Sequence, residues 1–132
     1  MKFVLDTDSV SDGIRNPGGR VASRIATLGR SRTGVSIIVA AELRFWAVKR
    51  RSRLLATKID ELLGTIPVLP IQPPMDETYA RLRTMLERMG TPIGGNDMLI
   101  AAHALTLDCT LVTGNEREFR RIPGLSVENW LA

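Results

Sequence analysis

The sequence predicts an α/β fold with a mainly parallel central sheet of about four to five strands, flanked by helices on both sides. Short apolar β-prone runs alternate with longer helical patterns along the chain, which is typical of parallel sheets. No internal repeat, linker or low-complexity tract interrupts this alternation. With 132 residues, 44% of them apolar, the chain can build one core but not two, so we expect a single domain over residues 1–132.

The strands are predicted from short runs rich in Val, Leu and Ile. The first run, Lys2 to Leu5, stops abruptly at Asp6. Four more runs have the same character, at residues 33–36, 68–71, 110–113 and 125–128.

The helices are predicted from helical spacing of apolar residues, with capping residues at their starts and glycines at their ends. They are expected from residues 6–8 onward and at residues 21–29, 37–51, 53–63, 76–89 and 96–107, with a short helical turn at 116–119. Residues 96–107 are apolar almost all round, which indicates a buried helix.

Charge and hydropathy exclude several classes of protein. Charged residues make up 24% of the chain and the mean hydropathy is +0.02, which fits neither a disordered nor a membrane protein. No apolar run approaches the roughly 20 residues that span a bilayer, and no signal-like segment precedes Asp6, so we expect a cytoplasmic protein with no membrane partner. The net charge of +4 and a pI near 10.0 favour a polyanionic partner. The single cysteine, Cys109, is expected in the core.

Three carboxylates are candidate functional groups because they have no cation at helical spacing. Asp6 follows the first strand, Glu42 lies two turns into the helix after the second strand, and Asp97 opens the buried helix. Asp60 and Asp108 also lack a local partner. Other acids have a basic residue three or four positions away: Asp12 with Arg15, Glu61 with Lys58, Glu77 with Arg81, Glu87 with Arg83, Glu116 with Arg120 and Glu118 with Arg121.

These three acids predict a site for a hard divalent cation if the fold brings them together. An unpaired buried carboxylate costs several kcal/mol, so a chain that keeps one normally supplies hydrogen bonds, a cation or a metal. An all-oxygen set suits Mg²⁺ or Mn²⁺, and one His with one Cys excludes a conventional zinc site. Asp6 and Asp97 could instead be helix caps. A metal held by carboxylates beside a basic surface would serve the hydrolysis of a nucleic acid.

Ordered motifs along the whole chain make the sequence similar to a known family. The runs at residues 5–11, 41–44, 91–104 and 111–119, and the tail at 123–131, together resemble the PIN-domain ribonucleases of the VapC toxin family. The resemblance implies a PIN-domain fold and a Mg²⁺- or Mn²⁺-dependent endoribonuclease acting on structured RNA such as tRNA. It also implies a homodimer that a cognate VapB-type antitoxin inhibits, as in type II toxin–antitoxin pairs.

The resemblance assigns roles to particular residues. Asp6, Glu42 and Asp97 match the family's metal ligands, and Thr7 and Asn96 match polar positions beside them. We expect Asp6 and Asp97 to coordinate the principal metal, and Glu42 to coordinate it or to orient the attacking water.

Two positions depart from the family pattern. Asp8 stands where the family usually has Asn, and Gly114-Asn115 stands where an Asp is common. Asn115, Glu116 or Glu118 could substitute for that missing acid.

Other side chains near these motifs have weaker expected roles. Arg44 and Lys49, with the basic cluster at residues 50–53, are candidates for contacts to RNA phosphates, although a solvated helix end is the slightly favoured alternative. His103 is expected to be a core histidine. Trp46, Tyr79 and Trp130 could stack on bases, but packing in the core or in a dimer is the favoured role for each.

Two alternative functions remain open on the sequence. One is a PIN module that binds RNA or protein without cleaving. The other is a haloacid-dehalogenase-like phosphatase, which the Asp6-Thr7-Asp8 run resembles. That chemistry needs a downstream lysine, and Lys58 is the last lysine of the chain.

Overall fold

The computed structural model describes residues 2–131, within which the chain forms five strands and seven helices. The alternation predicted from the sequence is confirmed. The elements in chain order are β1 (Phe3–Leu5), α1 (Thr7–Arg15), α2 (Arg20–Leu28), β2 (Thr33–Ser36), α3 (Ile37–Lys49), α4 (Arg53–Leu63), β3 (Val68–Leu69), α5 (Met75–Arg88), α6 (Gly95–Thr106), β4 (Thr110–Val112), α7 (Glu116–Phe119) and β5 (Val127–Glu128).

The five strands form one parallel sheet in the order β3-β2-β1-β4-β5. Strand β1 is central, and Leu5 pairs with Val35 of β2 on one side and with Val112 of β4 on the other. The chain moves outward from β1 through β2 and β3, then crosses back to β4 on the opposite side. Because crossovers between parallel strands are right-handed, this reversal puts helices on both faces of the sheet. It also opens a crevice beyond the carboxyl ends of β1 and β4, where parallel α/β proteins place their sites.

The core is built on the central strands, whose apolar runs are buried on both faces. Val4, Leu5, Val35, Leu111 and Val112 have no exposed surface. Helix α6 is buried through most of its length, as its all-apolar sequence predicted. Cys109 is also buried, as expected, and burial raises the pKa of its thiol.

Helix ends follow the predicted capping signals. The Asp6 carboxylate caps α1 by accepting a hydrogen bond from the Ser9 backbone N–H at 2.9 Å. Ser36 caps α3, and α2 ends at Gly29, whose φ of 75° lies in the left-handed region that favours glycine. None of the helices within residues 2–131 combines the length and the apolar character needed to cross a bilayer.

Candidate acidic active site

Asp6 lies at the carboxyl end of β1, at the mouth of the crevice. Only 5% of its surface is exposed, and this burial raises the pKa of its carboxyl group. Hydrogen bonds from the Thr113 hydroxyl and from Ser9 offset part of the rise, while the charge of Asp8 adds to it. Asp6 is thus both the cap of α1 and a buried acid facing the crevice, so the capping and functional interpretations are compatible.

Glu42 projects from α3 toward the same crevice. Its pKa is raised, first by burial and then by the negative charges of Asp8 and Asp6. The side chains of Thr7 and Asn96 lie beside the Glu42 carboxylate and offset part of the rise. Even so, Glu42 Oε1 and the Thr7 hydroxyl are both buried atoms without a hydrogen-bond partner among the described residues.

Asp97 lies in the first turn of α6 and faces the other two acids. Burial is the largest cause of its raised pKa of about 6, followed by repulsion from Glu118, Asp6 and Glu42. A hydrogen bond between Asp97 and Glu118 raises this pKa further. The structure therefore brings Asp6, Glu42 and Asp97 into mutual electrostatic contact, as their predicted convergence requires.

Of the three residues that the sequence left open at the position of the missing acid, Glu118 is the one that lies against Asp97. Glu118 accepts a hydrogen bond from Asn115 Nδ2 at 2.6 Å and faces Asp97. Glu116 is directed away, because it accepts hydrogen bonds from Arg120 at 2.7 Å and from Asn129 at 3.2 Å. A Cβ atom at Gly114 would lie 2.6 Å from Leu131 Cδ1, so an acid at that position would require Leu131 to move.

The donor set of this site suits a hard divalent cation. All the side-chain groups that meet there are oxygen donors or the amide of Asn96. Burial first, and then repulsion from neighbouring acids, raises the pKa values of all three carboxyl groups. The unpartnered Glu42 Oε1 is a buried acceptor that a metal or a bound water would satisfy. Within residues 2–131, no three acid, His or Cys groups already form a compact metal cluster.

The basic residues named for phosphate contacts have partners within the protein. Arg44 donates to Asp60 Oδ1 at 2.7 Å, so Asp60, which has no cation at helical spacing, finds its partner on the adjacent helix. Both groups are well exposed, so Arg44 remains accessible to solvent. Lys49 Nζ lies 5.6 Å and 5.1 Å from the ring centres of Phe45 and Trp46, in cation–π contact with both.

Half of the predicted helical ion pairs form. Glu77 with Arg81, Glu87 with Arg83 and Glu116 with Arg120 lie 3.8, 3.1 and 2.7 Å apart. The other three predictions are wrong in the described part of the chain, because the acids have competing partners or are solvated. Asp12 accepts from Asn16 at 2.8 Å, Glu118 accepts from Asn115, and Glu61 forms no ion pair with Lys58.

Thr113, which was not among the predicted site residues, is fully buried and supports Asp6. Its hydroxyl accepts a hydrogen bond from the Asn115 backbone N–H at 3.0 Å, which leaves its proton free to donate to Asp6. The signal was the strand register: Leu5 pairs with Val112, so the next residues, Asp6 and Thr113, are neighbours at the edge of the sheet. His103, by contrast, is a buried core residue, as expected, with Nδ1 2.8 Å from the Ser36 hydroxyl.

Comparison with known proteins identifies the class. The pattern that defines the PIN domain matches residues 3–125. The fold and the acidic crevice thus belong to a PIN domain, the family of which this chain is a member.

Two curated relatives and a solved structure narrow this class to the VapC group. The chain is 36% identical over 132 residues to Ribonuclease VapC2 of Rickettsia felis, and the match covers 98% of each. It is 35% identical to the tRNA(fMet)-specific endonuclease VapC of Salmonella typhimurium, again over 98% of each. The crystal structure of VapBC2 from Rickettsia felis bound to a promoter DNA fragment contains a chain that superposes with a TM-score of 0.92 at 33% identity, over 98% of this chain and 99% of that one.

Proposed function

We propose that this protein is a metal-dependent endoribonuclease toxin that hydrolyses phosphodiester bonds of RNA and is neutralised by a VapB-type antitoxin. The observation that carries the proposal is the convergence of Asp6, Glu42 and Asp97 in one crevice with raised pKa values. The relatives named as ribonucleases support the reaction class, and the VapBC2 complex supports the antitoxin. The Salmonella relative named for tRNA(fMet) makes tRNA the first substrate to test.

Asp6 and Asp97 are the proposed ligands of Mg²⁺ or Mn²⁺, with Glu42 as a further ligand or as the acceptor that orients the attacking water. Such a metal, when bound, would polarise the phosphodiester and lower the pKa of a bound water. The chain's own residues orient these acids. The Ser9 N–H and the Thr113 hydroxyl fix one orientation of the Asp6 carboxylate, while Thr7 and Asn96 lie beside Glu42.

Glu118 and Asn115 are proposed as auxiliary residues of the same site. Asn115 donates to Glu118, which holds that carboxylate beside Asp97. Glu118 therefore supplies the additional negative charge that an Asp after β4 supplies in the family pattern. Its position in the chain is one helical turn beyond that of the family Asp. A second metal, or a metal-bound water, is the proposed use of that charge.

The proposed metal dependence and substrate can be tested on antitoxin-free protein. The purified chain is incubated with total tRNA and with single defined RNAs in Mg²⁺, Mn²⁺ or EDTA. We expect discrete fragments that require metal and disappear in Asp97→Asn. Asp108→Asn is the matched control, because Asp108 lies outside the crevice with φ of 53°, a conformation that Asn tolerates. RNA binding without cleavage by the folded wild type would favour the alternative of a non-catalytic PIN module.

The phosphatase alternative is no longer needed to explain the Asp6-Thr7-Asp8 run. Asp6 caps α1 and faces the acidic crevice, Asp8 is an exposed residue of the first turn, and the matched family is the PIN domain.

The self-association expected from the family resemblance is retained as a proposal. Several apolar side chains on α3 and α4 are exposed, among them Phe45 at 54%, Val48 at 77% and Leu54 at 67%. Exposed apolar groups of this size favour association. Light scattering of the purified chain, alone and with its antitoxin, would measure the mass of each assembly, and a monomer at all concentrations would contradict the proposal.

A further inference from the structure

A groove between α1 and α3 runs outward from the acidic crevice. On α1, Thr7, Ser11 and Arg15 are four residues apart, so they lie along one face of the helix. On α3, Trp46 lies one turn after Glu42 on the same face. Arg50, which follows the last residue of α3, continues this line. We call the space between these two rows the α1/α3 groove.

The groove has apolar walls, polar residues at its inner end and cations at its outer end. It contains a cavity of about 190 Å³ beside Thr7 and Asp8, with Leu43 and Ile59 among its buried walls and Trp46 at its side. A cavity of this volume is smaller than the pockets of drug-sized ligands and suits a single planar ring system. Arg15 and Arg50 line its outer part.

The cations at the outer end are not neutralised by the protein. Neither Arg15 nor Arg50 forms an ion pair with a described residue, so both keep their charge for an external partner. The Arg50 guanidinium lies 5.4 Å from the centre of the Trp46 ring, which is 41% exposed. An exposed aromatic ring flanked by unpaired cations is the arrangement that binds single-stranded nucleic acid, with a base on the ring and a phosphate on the cation.

We propose that the α1/α3 groove binds a nucleotide next to the scissile phosphate, with its unstacked base against Trp46 and its phosphate at Arg50 and Arg15. This inference rests on the proposed ribonuclease function and adds the path of the RNA strand away from the acidic crevice. Arg50 lies eight positions after Glu42, which corresponds to about 12 Å along the helix axis. The cations therefore reach a neighbouring phosphodiester rather than the one being cleaved. A purely apolar protein segment would fill the cavity but would leave these cations unmatched.

Direct binding tests the proposal independently of catalysis. A fluorescein-labelled single-stranded RNA of about 16 nucleotides is titrated into the wild-type protein in EDTA, and anisotropy gives the Kd at several salt concentrations. We expect Trp46→Ala to weaken binding about 5- to 150-fold, and Trp46→Phe to restore most of it. Arg50→Gln should lower the slope of log Kd against log salt by about 0.7, the value for one phosphate contact to a single strand.

Matched controls are available at the carboxyl end of α5, outside the groove. Met89 is an exposed apolar residue and Arg88 an exposed arginine, and neither lines the α1/α3 groove. Met89→Ala and Arg88→Gln should leave both the Kd and the salt slope unchanged. Equal melting temperatures would show that all the variants are folded.

An abasic scan of the RNA identifies the base. One position should lose affinity when its base is removed in the wild type but not in Trp46→Ala, because the two changes delete the same contact. Additive losses at every position, or unchanged binding in Trp46→Ala and Arg50→Gln, would overturn the proposal and leave the groove to a protein segment. Wild-type cleavage of tRNA, measured in parallel, shows whether the proposed ribonuclease function stands regardless of that outcome.

Discussion

Asp97 and Glu118 face each other across the acidic crevice, although α6 and α7 that carry them are separated by strand β4. Burial and then repulsion from Glu118 raise the pKa of Asp97 to about 6. The charge of Asp97 therefore changes around pH 6, which makes the site responsive to pH.

Replacement of Glu118 tests this relationship directly. In Glu118→Gln we expect the pKa of Asp97 to fall below about 6, because the second-largest cause of its rise is removed while burial remains. Carboxyl ¹³C NMR of the metal-free protein would measure the shift. Glu116→Gln is the matched control, since Glu116 binds Arg120 and Asn129 instead. An unchanged Asp97 pKa in Glu118→Gln would contradict the pairing.

The stability of the metal-free protein should depend on the ionisation of Asp97. Its folded pKa of about 6 lies above the ordinary value of 3.8, so the folded state binds more protons between these values. The free energy of unfolding should therefore fall as pH rises from about 4 to about 6. In Asp97→Asn we expect this slope to flatten and the stability at pH 7 to rise by about 1 to 3 kcal/mol, with allowance for screening. Urea unfolding across this range would measure it, and a parallel slope in wild type and variant would disprove the assignment.

A divalent cation should reverse this destabilisation. Mg²⁺ at about ten times its Kd would stabilise the folded state by about 1.4 kcal/mol at pH 8. The gain should shrink at pH 5, because protons compete for the same carboxylates. Thermal melts with Mg²⁺ would show a higher Tm for the wild type and for Asp108→Asn, but not for Asp97→Asn. An equal gain in all three would mean that Mg²⁺ binds elsewhere.

The Ser36 hydroxyl supports the helix that carries Glu42. It accepts a hydrogen bond from the Ile38 N–H at 3.2 Å and lies 2.8 Å from His103 Nδ1, inside the core. Ser36→Ala removes a cap and leaves a buried His103 nitrogen unpaired, so we expect a loss of about 2 kcal/mol in the free energy of unfolding. Ser52→Ala, which removes only the cap of α4 at Leu55, should cost about 1 kcal/mol. Equal losses in both variants would show that the His103 contact contributes nothing.

The elements of the fold were predictable because their signals are local. Short β-prone runs predicted the strands, and Asp6 and Ser36 marked the starts of helices through their own side chains. The three acids of the crevice were predictable for a related reason. Each lacks a cation within one helical turn, and a carboxylate among apolar neighbours requires a partner from elsewhere in the fold.

The contacts of the surface acids were less predictable, because several partners compete for each one. Helical spacing predicts an ion pair of Glu118 with Arg121 and no ion pair for Asp60. In the structure, Glu118 contacts Asn115 and Asp97 instead. Asp60 pairs with Arg44 of the neighbouring helix. An exposed ion pair is worth only a fraction of a kcal/mol, so small differences in geometry decide which one forms.

The sequence by itself determined the parallel α/β architecture, the buried α6 helix and the identity of the acids that needed partners. The tertiary structure alone decided that Thr113 supports Asp6, that Glu118 rather than Glu116 faces Asp97, and that Trp46 and Arg50 line a groove leading away from the crevice. The physical reason is the distance along the chain between the residues that determine each feature. Burial pattern and capping depend on residues within a few positions of one another, whereas these contacts depend on the order of β1 and β4 in the sheet and on how α1 packs against α3.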